Sequence, residues 1–285
     1  MANKDIKVLQ NKILEIMIDI DNICRENEIV YYLMSGSALG AIRHKGFIPW
    51  DDDMDIFMTP DNYLKFKEIV KQKKYSNKYY LQELCKHENL ITYAKVRANG
   101  TTFIEEVYKD LDMHHGIYVD IFILHNTSDC YLSQFKQSLC GKFLSLKKMA
   151  KYKRNRKLSV SKKVLALVLN ALPKSIDVYA LKSLYKYDNQ ETAYYCHFVG
   201  NAFFKKGIYE KDWFGNGKYV SFDNTYLKVP EKVEIYLKKR WGDYMQLPPV
   251  EKRQASQHAM YWNEKEGFEK YCSRIREYSD EKQLY

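Results

Sequence analysis

The run Asp51-Asp52-Asp53-Met54-Asp55 places four carboxylates within five residues. On a strand alternate residues share a face, so Asp53 and Asp55 point the same way, with Asp51 near them. Like charges side by side repel, which is unremarkable on a hydrated surface. Here Ile56 and Phe57 follow at once, so the strand enters a core. Carboxylates gathered at the mouth of a core strand call for a cation between them. Hard oxygen ligands favour Mg²⁺ or Mn²⁺, and Mg²⁺ takes one or two carboxylates together with substrate phosphates. The bland alternative is an acidic turn or a helix cap. A further carboxylate, Asp120, sits in Gly116-Ile117-Tyr118-Val119-Asp120-Ile121-Phe122, a run that otherwise asks for burial. An unpaired Asp there is costly. It should face a metal, a cation or a substrate proton, or else pair with a nearby Lys or Arg. Upstream, Gly36-Ser37 lies where a strand turns into a helix. Its backbone N–H groups and hydroxyl could cradle phosphate oxygens at a helix N-terminus, although a purely structural turn fits the same residues.

The surrounding elements can be read from periodicity. Ile6, Leu9, Ile13, Met17 and Ile20 recur at helical spacing, giving an amphipathic helix from about Asp5 to Glu26. Ile29 to Met34 reads as a strand, and Ala38 to Arg43 as a helix with Ser37 as its N-cap. Asp53 to Met58 reads as a second strand, followed by a helix from Asp61 to about Lys73. Tyr79 to Leu84, Tyr93 to Arg97 and Ile117 to Leu124 are further strands. Strands alternating with helices argue for an α/β or α+β domain.

Composition narrows the class. The chain has 285 residues, 46% hydrophobic and 29% charged, enough for a sizeable core and against wholesale disorder. No apolar run approaches the roughly 20 residues of a membrane helix. The start, MANKDIKVLQ, lacks the apolar core of a secretory signal. Six scattered cysteines (24, 85, 130, 140, 196 and 272) form no Cys-x-x-Cys pair, so a reducing cytoplasm is the default expectation. Net charge is +10 and unevenly placed. Between Cys130 and Ile176 there is no Asp or Glu but twelve Lys and Arg, among them Lys136, Lys147, Lys148, Lys151, Lys153, Arg154, Arg156, Lys157 and Lys174. The rest of the chain is near neutral. Such a segment fits a solvated helical face, an anionic polymer, or an anionic leaflet into which the apolar block Val164 to Leu172 dips.

The Gly-Ser turn, the Asp-x-Asp strand and the later strand Asp resemble the nucleotidyltransferase pattern. More specifically, Ser35 to Met58 resembles the LicD family of phosphocholine transferases. Three further stretches are similar to that family: Lys95-Val96-Arg97 with Thr101 to Glu105; His115 to Phe122; and Val229-Pro230 through Trp241-Gly242-Asp243-Tyr244 and Pro248-Pro249 to Lys252-Arg253 and His258. The resemblance brackets residues from about 30 to 260 and skips the basic middle. It implies an α+β fold, a nucleotidyltransferase-like mixed sheet flanked by helices, with a basic helical insertion. It divides the chain into a catalytic core over 1–125, the basic segment over 126–198, and a C-terminal part over 199–285 that completes the site.

The implied reaction passes a phospho-alcohol, phosphocholine first among candidates, from a CDP-linked donor to a glycan hydroxyl, with CMP leaving. Asp53 and Asp55 would hold Mg²⁺ or Mn²⁺. Asp120 would complete the metal site or take the acceptor proton. Gly36, Ser37, Arg43, Lys45 and Arg97 would bind the donor's phosphates, with Asp51, Trp50, Arg253 and His258 as additional site residues. The expected partners are that donor and a glycan acceptor, lipid-linked or free, and no nucleic acid. The expected location is the cytoplasm, with residues 136–174 against the inner face of the plasma membrane. Two rival readings use the same residues: a nucleotidyltransferase moving NMP to RNA, protein or a small molecule, and an inactive membrane or polymer binding module.

Overall fold

The computed structural model describes residues 5–152, 160–200, 204–253 and 258–271. The chain opens with α1 (Ile6–Glu26), whose first turn is capped by Asp5 accepting from the Lys7 N–H at 2.9 Å. Leu9, Ile13, Met17, Ile20 and Cys24 form its buried stripe, as the spacing predicts. Then come β1 (Tyr31–Leu33), α2 (Ser35–Arg43), β2 (Asp55–Met58), α3 (Pro60–Val70), the short α4 (Lys73–Ser76), β3 (Tyr79–Leu84), β4 (Tyr93–Ala98), β5 (Thr102–Glu105), β6 (Tyr118–Ile123) and β7 (His125–Thr127). The basic segment forms α5 (Tyr131–Tyr152) and α6 (Val160–Ala171), followed by α7 (Lys174–Leu184). The remainder holds β8 (Tyr194–Cys196), β9 (Ile208–Glu210), the hairpin β10 (Lys218–Phe222) and β11 (Thr225–Val229), α8 (Val233–Trp241), the short α9 (Val250–Arg253) and β12 (Ala259–Asn263).

The fold is α+β. Its central sheet runs β1-β2-β6-β4-β3, mixed because β2 and β6 are parallel while every other neighbouring pair is antiparallel. The apolar runs around Ile56-Phe57 and Ile121 make β2 and β6 central strands, and both are buried along most of their length. Their register places Asp55 opposite Asp120. A smaller cluster joins Leu144 of α5 to Ala180, Leu181 and Leu184 of α7 and to Cys196 and Phe198, so the basic segment is packed into the body through one face. Late and early chain also meet where β12 pairs with β5.

Several local boundaries differ from expectation: β1 spans only Tyr31–Leu33, and β2 starts at Asp55, so Asp53 lies ahead of the strand. Helix α2 starts at Ser35 with Met34 as its N-cap, one turn ahead of the expected start, so Ser37 is inside the helix and is not its cap. Helix α3 starts on Pro60, whose fixed φ suits a first helical turn, and ends at Val70 rather than near Lys73. Lys153, Arg154, Arg156, Lys157 and Cys272 lie outside the described residues.

Candidate active site

The sheet gathers the carboxylates at one end. Asp55 opens β2 and Asp120 sits beside it on β6, while Asp51 and Asp53 come from the chain leading into β2. All four line a cavity of about 1000 Å³. Helix α2 begins at the same place. Gly36 lines the cavity, and a Cβ on it would come within 3.1 Å of Asp51 Oδ2, so a glycine here leaves that carboxylate its position. The turn is held from behind by the Ser35 N–H donating to the Tyr236 hydroxyl at 2.9 Å. Ser37 Oγ accepts from the Asp55 N–H at 2.8 Å. Its hydroxyl therefore ties α2 to β2 and helps set Asp55, and Ser37 is not among the residues that line the cavity.

Bringing these groups together out of water has an electrostatic cost. Burial first, then the charges of Asp53 and Asp52, pushes the Asp51 carboxyl up to about 8. Burial lifts Asp53 to about 6, with His258 pulling down and Asp52 and Asp120 pushing up. Burial, then Asp53, Asp120 and Asp51, drives Asp55 well above the carboxylate range. Asp120 is raised by burial and drawn back by Lys95, whose Nζ donates to Asp120 Oδ2 at 3.0 Å. Lys95 itself lies 3.3 Å above the Tyr118 ring. The other oxygen, Asp120 Oδ1, is buried without a hydrogen-bond partner. Mutually repelling carboxylates with an idle buried oxygen among them form a hard-oxygen donor set that fits a divalent cation.

Asp52 has a different role from its neighbours. It is buried and accepts from the His258 N–H at 2.6 Å, the Ala259 N–H at 2.7 Å and His258 Nδ1 at 3.0 Å. Asp52, Asp53 and His258 do offer ligand atoms within 4.8 Å of one another. The oxygens of Asp52 are already used, however, and its hydrogen bond raises the imidazole to about 9. His258 Nδ1, 3.4 Å from Asp53 Oδ2, favours the ionised form of that carboxylate.

The rest of the cavity lining includes basic and aromatic side chains. Lys142 and Lys148 of α5 belong to it, and Lys148 Nζ is bonded to the Tyr93 hydroxyl, 4.1 Å from the ring centroid. Burial, then the charge of Lys95, lowers Lys148 to about 8. The chain after α8 closes the rim with Trp241, Tyr244 and Pro248, beside Trp50 and Arg240.

Of the residues expected to bind phosphate, Gly36 and Arg43 line the cavity. Arg43 also donates to the carbonyls of Tyr244 at 2.8 Å and Gln246 at 3.3 Å, bolting the closing loop to α2. Lys45 is a correction. The chain adopts φ +57° there, and it borders a separate recess with Lys7 and Asp223. Arg97 is a second correction, being fully buried. Its Nε donates to Gln82 Oε1 at 2.7 Å and its Nη1 to the Gly116 carbonyl at 2.9 Å, so it braces β3, β4 and the entry to β6. Arg253 stacks on Trp50 at 5.2 Å and donates to the Pro248 carbonyl at 2.9 Å, supporting the rim from outside the cavity lining. Lys95, Lys148, Arg240 and Asp52 were not assigned roles from sequence. The basic segment signalled Lys148 only as one lysine among twelve.

Comparison with known proteins bears on the same stretch. Residues 28–138 match the family model described as LicD/FKTN/FKRP, nucleotidyltransferase domain. The chain is 28% identical over 249 residues to the lipopolysaccharide cholinephosphotransferase LicD of Haemophilus influenzae, spanning 80% of this chain and 87% of that protein. Shorter likenesses, 40% and 38% identical over 58 residues, join it to uncharacterized proteins of Rickettsia typhi and Rickettsia prowazekii and cover about a fifth of this chain and of each of those proteins. Gly36, the clustered aspartates, Lys95 and Asp120 all fall inside the span that matches the LicD/FKTN/FKRP model.

Proposed function

We propose that the chain is a cholinephosphotransferase that moves phosphocholine from CDP-choline to a sugar hydroxyl of a cell-surface glycan, with CMP as the other product. The observation that carries this reading is the convergence of Asp51, Asp53, Asp55 and Asp120 on one cavity whose lining also holds lysine and aromatic side chains. The similarity to the Haemophilus influenzae protein supports the phosphocholine donor and a lipopolysaccharide-type acceptor.

Phosphoryl transfer depends mainly on positioning and charge neutralisation. Asp53, Asp55 and Asp120 would hold a divalent cation, Mg²⁺ or Mn²⁺. When bound, that cation neutralises charge on the transferring phosphate. The remaining work falls to side chains already in place. Lys148, Lys142 and Arg240 present positive charge to the donor's phosphates. Lys95 fixes Asp120 by one oxygen and leaves Oδ1 for the cation or for the acceptor's proton. Trp50, Trp241 and Tyr244 give the rim the ring faces that hold a quaternary ammonium.

The test is a donor panel. The protein, Mg²⁺ and a lipopolysaccharide acceptor are incubated with CDP-choline, CDP-glycerol, CDP-ribitol, CTP or ATP, and CMP and pyrophosphate are measured. CMP release from CDP-choline with choline appearing on the acceptor is expected. Pyrophosphate release from CTP or ATP, with none from the CDP-alcohols, would replace this reading by nucleotidyl transfer.

A further inference from the structure

Helix α6 carries a cluster of exposed apolar side chains outside the cavity. Its side chains Val164, Leu165, Leu167 and Val168 follow helical spacing on one broad face. Leu167 is 71% exposed, and Val164 and Val168 are each 54% exposed. A single exposed leucine needs no explanation, but four apolar side chains on one turn-and-a-half of helix do. The helix is anchored through its neighbours. Lys147 of α5 donates to the Leu172 carbonyl at 3.2 Å and pairs with Asp177 at 2.7 Å, while α7 buries Ala180, Leu181 and Leu184 in the body. The apolar face of α6 is left pointing away from the protein.

The charge around this face selects its occupant. Lys162 and Lys163 immediately precede the apolar run and Lys174 follows it, within a stretch holding twelve cationic residues and no acidic one. A second copy of the chain would bring an equally positive segment against this one, which like-charge repulsion opposes. An anionic lipid leaflet offers the opposite charge at its headgroups and an apolar interior below them. Among the described residues no single helix is long and apolar enough to cross a membrane, and α6 and α7 meet at 86°. The geometry therefore suits a helix lying in the interface.

We infer that the exposed apolar face of α6, flanked in sequence by the cations of the basic segment, docks the protein onto an anionic membrane surface. This goes beyond the reaction proposed above and does not depend on it. It also narrows the expectation drawn from sequence. Lys147 is used to join α5 to α7, and Lys148 faces the cavity, so neither belongs to the docking face.

The experiment is co-sedimentation with vesicles of phosphatidylcholine alone or mixed with phosphatidylglycerol, at low and high salt. The wild type is expected to pellet with the anionic vesicles at low salt, to be released as salt rises, and to ignore the neutral ones. The double variant Leu167→Glu/Val168→Glu removes two apolar contacts and adds two repelled charges. At roughly fivefold per charge, plus the lost burial, its partitioning should fall at least about twentyfold. Both positions are exposed, so circular dichroism and the melting temperature should be unchanged. The inference is overturned if the wild type stays in solution with anionic vesicles at low salt, or if the double variant pellets like the wild type. It is equally overturned if light scattering shows a dimer that the double variant dissociates, since a second copy would then cover the face.

Discussion

Replacing Asp53 by Asn should remove activity and at the same time stabilise the metal-free protein. Burial is the main reason that its carboxyl sits at about 6 instead of the ordinary 3.8. A carboxyl raised in the folded state adds its full stability below the unfolded value and loses it as pH climbs through the folded value. At about 1.4 kcal/mol per pH unit, the gap costs the fold about 3 kcal/mol above pH 6. Asn keeps the shape without the charge. The pull of His258 at 3.4 Å is already contained in that value, and burying the Asn amide in the same place offsets part of the gain, leaving about 1–2 kcal/mol. For a chain of this size that is about 2–6 °C in melting temperature. The assay is thermal unfolding in a chelator at pH 5 and pH 8. The variant's advantage should be largest at pH 8 and shrink toward pH 5. Added Mg²⁺ should raise the melting temperature of the wild type and leave the variant nearly unmoved. A variant less stable than wild type at pH 8 without metal would refute the reasoning, because the cluster would then not be under repulsive strain.

The adjacent Asp52→Ala should do the opposite. It removes the acceptor of two partly buried N–H groups and of a half-exposed imidazole, and should lower stability by about 1–3 kcal/mol at neutral pH, read by denaturant unfolding. Asp120→Asn separates two roles for Oδ1. As the acceptor's base it should lower turnover by roughly 10²–10⁴-fold with Mg²⁺ affinity kept, whereas as a ligand it should lower that affinity, which calorimetry measures directly. Lys148→Met should weaken CDP-choline binding by about 10–100-fold, the worth of a charged hydrogen bond, with Lys148→Arg restoring most of it.

Much of the carboxylate site was legible because its signal is local. An Asp inside Ile117–Phe122 stands out against its own strand, and the Asp-rich run stands out against Ile56 and Phe57. The same short periodicities narrowed the class to α/β or α+β, and the family resemblance pointed to α+β. What escaped depends on partners far along the chain. Lys95 matters because β4 pairs with β6 in a register that sets it against Asp120, and no local pattern encodes a register. Asp52 looked like its neighbours because its donors, His258 and Ala259, lie about two hundred residues away. Lys45 and Arg97 misled for the converse reason. Nearness to a motif in sequence does not fix where a side chain points: the chain adopts a positive φ at Lys45, and Arg97 is buried with Nε on Gln82, Nη1 on Gly116 and Nη2 3.8 Å from Glu105. In the basic segment, the inward turn of Lys147 and Lys148 is decided by how α5 packs on α7 and on Tyr93.

The bond between Asp52 and the chain at His258 also sets an order of events during synthesis. A ribosome delivers the aspartates in the first fifth of the chain, the α5 lysines near the middle, and His258 only toward the end. Until that last stretch emerges, Asp52 has none of its three donors, β5 lacks its partner β12, and the rim from Trp241 to Pro248 has not been made. A nascent chain therefore carries the repelling carboxylates without the groups that enclose them. It holds an open acidic patch accessible to water, and no closed chamber in which a nucleotide donor could be consumed before translation is nearly complete.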